Sequence, residues 1–328
     1  MSERILRTAR EPRDRLLRTR RLLLEALADG RTTLSFDTPG WDPRDRAQAM
    51  GMFHTAAVTH LWDRHRIIYA AHPQMVEALA KLTAKAIPGE VWQMIPHTEP
   101  LVVLPEPVPA ELPTGGTGRL AGFFVHGRMA DGGLCPVHSP LCSGLGVNFF
   151  VELPGRAVLD VVRTTVRTQA AQTLEEMVAD GLTRFTTADG PPPEDERWTR
   201  YLRTLLTTGV SILLYACTDK RDLDLGPLPA PAGRSLARRG KPGSPRMLAL
   251  GWHRGPALHA ARQRPAGYYR TEGGGWRQPP HQRACSIRTY WTGPGSRVPI
   301  LKLVAPYEVS QDLLDETDGR PYSVRDVR

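Results

Sequence analysis

Apolar positions recur along this chain at two periods, and the switches between them predict its organisation. Leu16, Leu17, Leu23, Leu24 and Leu27 stand at helical spacing, with Pro12 suited to a first turn and Gly30 to a stop. They predict an amphipathic helix over residues 12–29. Eight arginines lie in the first 21 residues, and at this spacing most of them form its wet face. Asp42-Pro43 supplies an N-cap followed by proline for a second helix running to about Trp62. A third begins near Pro73, with Met75, Val76, Leu79 and Leu82 on one side.

The period then shortens. Leu101–Leu104, Leu120–His126 and Val147–Leu153 are short β-branched or aromatic runs separated by Pro- and Gly-rich turns such as Gly115–Gly118. They predict antiparallel strands. Val162, Val166, Ala170, Leu174, Met177 and Val178 fit one helical face, so a helix is expected from Asp160 to Gly181. After Pro191–Pro193 comes the most apolar helix, about Asp195 to Cys217. Met247–Trp252, Ser286–Trp291 and Val298–Val304 read as strands, with a short helix at Pro256–Arg262. The expected fold class is α+β: a helical N-terminal region at 1–95, then an α+β region at 96–328. The latter is a mainly antiparallel sheet with packed helices, interrupted by a basic flexible segment at 222–245.

Charge sharpens this picture. The net charge is +9 over 328 residues, and it is unevenly spread. Between Asp219 and Ile300 stand 15 Lys or Arg against four acidic residues, a surplus of +11, while the rest of the chain carries −2. Such a confined surplus fits a surface that meets polyanions or acidic proteins; a solvated Arg-rich surface is the plain alternative. No apolar run approaches the ~20 residues of a membrane span, and arginines break every early leucine cluster, so a cytoplasmic protein is expected.

The chemistry-bearing residues point away from catalysis. Four cysteines in so long a chain make no disulfide framework, and Cys135-x-x-His138-x-x-x-Cys142 lacks a second pair of zinc ligands. His54 and His60, like His253 and His259, are six apart rather than four, and no acidic cluster accompanies Asp222 and Asp224. No cofactor, no metal and no catalytic residue is assigned. The stretch from Trp252 to Trp291 differs, because it interleaves arginines with aromatics. Arginine pairs with phosphate or carboxylate, and exposed rings stack on bases or fill protein pockets. Tyr268 and Trp276 lie in a Gly- and Pro-rich loop where exposure is expected. Trp252, Tyr290 and Trp291 sit in strand-like contexts that favour core anchoring.

Several blocks stand in a fixed order: Ile95-Pro96-His97, Leu101–Pro107, Leu213–Thr218 with Asp222-Leu223, Gly251–Leu258, Pro280–Arg283, and Thr289-Tyr290-Trp291-Thr292-Gly293-Pro294. In these the chain resembles the type V-A anti-CRISPR-like family, over roughly its last two thirds, and the Tyr-Trp-Thr-Gly-Pro block is the most specific part. The family's relatives are scattered across bacterial mobile elements. The resemblance implies a regulatory binding protein that recognises the nascent N-terminal peptide of a CRISPR effector nuclease and causes loss of its transcript. It implies a protein partner, contact with RNA or ribosome, and no membrane. Arg283, Arg288, Tyr290 and Trp291 would form a signature strand, with Arg254 as a second basic contact. Histidines precede the Thr-Tyr-Trp element in the family's pattern, whereas this chain has Ser286, Ile287 and Arg288. Two other classes stay open: an RNA-binding nuclease, which needs convergent carboxylates or histidines, and a general nucleic-acid binder, which needs only the basic surface.

Overall fold

A computed structural model describes residues 3–7, 10, 43–155, 159–168, 171–185, 195–219, 221–224, 245–263, 281–283, 285–305 and 307–309. The predicted helix at 12–29, most of the basic segment, the loop bearing Tyr268 and Trp276, and the tail past Gln311 lie outside these residues.

Helix α1 (Pro43–Trp62) leads into strand β1 (Ile67–Ala71), helix α2 (Pro73–Leu79) and the short strand β2 (Thr83–Ala84). Then come β3 (Leu101–Glu111), β4 (Thr117–Arg128), β5 (Leu134–Cys135), β6 (Gly144–Glu152) and β7 (Asp160–Arg167). Helices α3 (Leu174–Leu182) and α4 (Glu196–Ala216) follow, then β8 (Leu223–Asp224), β9 (Arg246–Leu250) and α5 (Arg254–Gln263). The chain ends in β10 (His281–Arg283), β11 (Ser286–Thr292), β12 (Val298–Val304) and β13 (Tyr307–Val309).

One eight-stranded sheet organises the molecule, in the order β7-β6-β4-β3-β1-β9-β8 with β5 beside β4. Its pairs are antiparallel except where β1 runs parallel to both β3 and β9. The sequence Ile67-Ile68-Tyr69-Ala70-Ala71 explains that placement. A strand buried on both faces needs a continuous apolar run rather than alternation, and all five residues are buried. The run is too short and too uniform to announce itself between two helices, and the hydropathy pattern alone passes over it.

The helix expected from Asp160 divides in two. Residues 160–167 form the edge strand β7, with Val162, Thr164 and Val166 buried at every second position. Val162 and Val166, four apart, satisfy both periods, but the β-branched run Val-Val-Arg-Thr-Thr-Val favours the strand. Helix α3 starts later, where Thr173 and Glu176 build a reciprocal capping box: Thr173 Oγ1 accepts from Glu176 N at 3.1 Å, and Glu176 Oε2 accepts from Thr173 N at 2.7 Å.

Helices cover both faces of the sheet. On one, α4 lays Leu202, Leu205, Leu206, Val210, Ile212 and Leu213 into a core shared with Phe123, Phe149 and Tyr69. Each such side chain contributes roughly 1.5–3 kcal/mol by leaving water. On the other, Phe53, Val58, Leu61 and Trp62 of α1 pack on Ile68, Leu101, Phe124 and Phe150. Among the described residues no helix is long and apolar enough to cross a membrane.

Candidate binding surface

Two of the family-like blocks, far apart in sequence, meet at the C-terminal end of α4. Asp222, buried just beyond that helix, ties three segments together. Its Oδ2 accepts from the backbone N–H groups of His253 at 2.6 Å and Arg254 at 2.9 Å, which open α5. A carboxylate at a helix start satisfies donors that have no partner within the helix and meets the positive end of its dipole. The Asp222 carbonyl accepts from Gly251 N at 2.8 Å, and its own N–H donates to the Tyr215 hydroxyl at 3.2 Å. Burial, the larger influence, and the nearby Asp222 charge push the Tyr215 phenol up to about 12. The turn just before Asp222 reaches a further segment: Asp219 N donates to Leu301 O at 2.9 Å, and Thr218 bridges to Leu301 in parallel.

Leu301 belongs to β12, so this knot anchors the β11–β12 hairpin. The base of the hairpin is locked. Ser286 and Ile287 pair with Thr83 and Ala84 of β2, Thr289 Oγ1 donates to Ala86 O at 3.2 Å, and Cys285, Ile287 and Leu301 are buried. Every residue from Tyr290 to Val298, by contrast, is exposed. Trp291 is 52% exposed, Tyr290 42% and Val298 53%.

Register assigns these side chains to two faces. Ile287, Thr289 and Trp291 share one face with Leu303, Leu301 and Pro299, so the apolar row of the base runs out into the exposed Trp291. The other face carries Arg288 directly opposite Lys302, and Tyr290 opposite Ile300. Lys302 Nζ stands 5.1 Å from the Tyr290 ring centroid, a cation–π contact. Two like charges directly across a strand pair repel, and neither has a carboxylate partner among the described residues. This face can therefore accept an acidic or phosphate-bearing group beside an aromatic plate.

The structure gathers Arg288, Tyr290 and Trp291 on this hairpin. Arg254 heads α5 at the knot, half-buried, with its backbone N–H on Asp222 and its charge felt by Tyr215. Arg283 ends β10, opposite Tyr307. Tyr268 and Trp276 lie outside the described residues. The core-anchor reading fits Trp252 only in part: it is half-buried in the turn after β9, its Nε1 donating to Ala70 O at 2.9 Å and its ring edge-on to His72 at 4.7 Å. It fails for Tyr290 and Trp291, because the hairpin outruns the body that would cover them. Lys302, Ile300 and Val298 complete the surface. Their apolar–basic alternation hinted at this, but only the turn at 293–296 fixes which residues face Arg288 and Tyr290.

Other chemistry-bearing residues take structural positions. His138 Nε2 donates to Ile95 O at 2.7 Å, and Cys142 Sγ donates to Gly144 O at 3.1 Å. Burial pushes the Cys135 thiol up to about 12 and Cys217 higher still. A thiol kept protonated is a poor nucleophile and a poor metal ligand.

Sheet order, helix placement and hairpin define a mixed α/β protein on a large, mainly antiparallel sheet, with a basic and aromatic arm tied to its core. The chain belongs to the AcrVA2-like family, the anti-CRISPR type V subtype A2 family, whose model matches residues 69–311. It is thus an anti-CRISPR-like protein. The crystal structure of AcrVA2 is similar to it at 12% identity and a TM-score of 0.48, over 92% of this chain and 93% of that one. No curated protein matches the chain.

Proposed function

We propose that this protein recognises a protein target, as a nascent N-terminal peptide, through the β11–β12 hairpin and promotes loss of the transcript that encodes it. The observation that carries this reading is the arm itself: exposed Trp291, Tyr290 and Val298 beside the opposed cations Arg288 and Lys302, on a base locked into the core. Exposed aromatics on a rigid support lose little conformational entropy on docking, and Trp, Tyr and Arg dominate the energetics of interfaces. The paired cations fit an acidic side chain or terminal carboxylate on the peptide. They also favour a second reading, contact with RNA, in which Tyr290 stacks on a base and the cations hold phosphates. That reading rests on the same face and differs in its salt dependence.

The test is a pull-down from the native host with the wild-type chain and an Arg288→Ala/Trp291→Ala variant, each split into RNase-treated and untreated halves. Retention of one protein after RNase, with its own transcript in the untreated half and both lost in the variant, supports nascent-peptide recognition. RNA of many sequences without a specific protein overturns it in favour of general nucleic-acid binding.

A further inference from the structure

The two outer edges of the arm are unlike. Leu301 O accepts from Asp219 N, so the turn after α4 closes the outer edge of β12 at that point. Backbone groups two residues apart on a strand point to the same edge, and two residues before Leu301 stands Pro299, which has no N–H to offer. A proline and an existing contact thus blunt β12 against any further strand.

β11 has no such protection. On its outer side lies β2, which runs parallel and meets only Ser286 and Ile287. Thr83 N donates to Cys285 O at 3.2 Å, so the backbone groups of Cys285 and, by alternation, of Ile287, Thr289 and Trp291 point to this side. The chain after β2 could run on along them but turns away. Ala86 takes a φ of 51°, in the left-handed region, which ends the extended path. Ile87 then exchanges two backbone bonds with Gln172, at 2.8 and 3.0 Å. Ala86 O accepts from the Thr289 hydroxyl, a side-chain contact that leaves the ladder unextended. Among the described residues, no backbone group pairs with Thr289 or Trp291 on this side.

Such an edge selects its partner. It offers N–H and C=O groups in alternation, which is the pattern of another extended backbone, whereas a phosphate only accepts and meets the carbonyls unfavourably. A second copy pairing edge to edge would set Arg288 and Lys302 against their own kind. A foreign peptide meets neither obstacle, and the two faces of the hairpin sort its side chains. A peptide residue beside Trp291 lies against the exposed indole, and the next one lies beside Tyr290 and Arg288. Lys85, exposed just past β2, adds to the positive charge along this side.

We infer, resting on the reading of the arm as a peptide-binding surface, that the target peptide docks by strand addition. It continues the line of β2 along Thr289–Thr292 of β11, with apolar side chains on the Trp291 face alternating with acidic ones on the Arg288 face. Backbone hydrogen bonds to Thr289 and Trp291 contribute affinity, and the alternation gives specificity.

The test selects a random dodecapeptide display library on the full chain, then makes the tightest binder as a synthetic peptide with each amide N-methylated in turn. Selected sequences should alternate acidic with β-branched or aromatic residues. N-methylation at alternate positions of the docked segment should weaken binding at least about tenfold, and at the positions between them should leave it nearly unchanged. In the protein, Trp291→Pro should bind at least about tenfold more weakly than Trp291→Ala at a similar Tm. The Trp291 N–H points away from β12, so proline there removes the docking donor and breaks no hairpin bond. Loss at consecutive positions, as a helical peptide gives, or tolerance of N-methylation throughout would overturn strand addition while leaving the arm a peptide-binding surface. No peptide enriched by the wild type over Arg288→Ala/Trp291→Ala would overturn the peptide reading as well. Single-stranded RNA bound by the wild type and lost in that variant would then assign the arm to RNA.

Discussion

The Asp222 knot and the pair formed by His126 of β4 and Asn148 of β6 are both buried, both polar, and both assembled from elements remote in sequence. They differ in how the hydrogen bonds close. Around Asp222, the N–H, the carbonyl and Oδ2 all have partners within the chain, and only Oδ1 lacks one. Around His126, its Nε2 and both side-chain polar atoms of Asn148 have none among the described residues. A closed network fixes geometry: it starts α5, ends α4 and roots the hairpin. An open one adds no rigidity of its own and costs free energy.

The largest expected effect tests that contrast directly. Asp222→Leu strands two N–H groups at the head of α5, which should destabilise the fold by about 3 kcal/mol. Asn148→Leu should do the opposite. Leucine has a similar volume and nothing to leave unpaired, so it should stabilise by about 1 kcal/mol. Urea denaturation of the two variants checks both signs. A loss of similar size at both positions would mean that the two networks are equally closed.

Protonation offers a second and somewhat smaller lever. Glu99 is buried, with Oε1 unpartnered and Oε2 3.8 Å from His65 Nε2. Burial raises its pKa from 4.5 to about 7, against the weaker opposing effects of a Thr98 hydrogen bond and the Arg64 charge. Between these values the folded state holds a proton that the unfolded chain has lost, so its contribution to stability falls as pH rises. His126 is the mirror case, since its pKa falls from 6.5 to about 3. In that window the unfolded chain holds the proton, so stability falls as pH falls. Where the two windows overlap, about pH 4.5 to 6.5, their slopes of about 1.4 kcal/mol per pH unit oppose each other. His54, His72 and His97 are displaced in the same direction as His126 and add to its side. Glu99→Gln should therefore steepen the rise of stability with pH across this window by about 1.4 kcal/mol per unit. Denaturation midpoints at pH 4.5, 5.5 and 6.5 measure it, and an unchanged slope would show that Glu99 is ionised in the fold.

How much of this was legible beforehand depends on whether local pattern or pairing decides it. Helix α4 could be read because its apolar stripe is long and bounded by Pro193 and the cap Asp195. Strand β1 could not, because five apolar residues between helices carry no period. The β7 error came from Val162 and Val166, whose spacing serves a strand as well as a helix; the Thr173–Glu176 capping box held the true helix start. Arg288, Tyr290 and Trp291 were named through the family resemblance, although their strand-like context had put the two rings in the core. Lys302 was not, since its place opposite Arg288 depends on the hairpin register. The His126–Asn148 pair was hidden for the same reason: nothing local connects a histidine on β4 with an asparagine 22 positions later. Asp222 was visible as one of two acidic residues in an apparent loop and as part of a family-like block, but nothing local tied it to Gly251 or to the head of α5.

The smallest effect on stability should accompany the largest on binding. Arg288 is exposed, faces Lys302 across the strand pair and has no carboxylate partner among the described residues. Arg288→Ala removes a repulsion and no buried contact, so stability should move by less than about 0.5 kcal/mol, toward stabilisation. Trp291→Ala should be similarly mild, since half of that side chain is already in water. Both should weaken capture of the target by at least about tenfold, as loss of an interface anchor does. Salt then separates the two occupants of this face. If phosphates are the ligand, Arg288→Ala lowers the slope of log affinity against log salt by about one. If a peptide is the ligand, Trp291→Ala dominates and the slope barely changes. Variants as unstable as Asp222→Leu would instead show that Arg288 and Trp291 belong with the closed network, and that the arm is part of the scaffold.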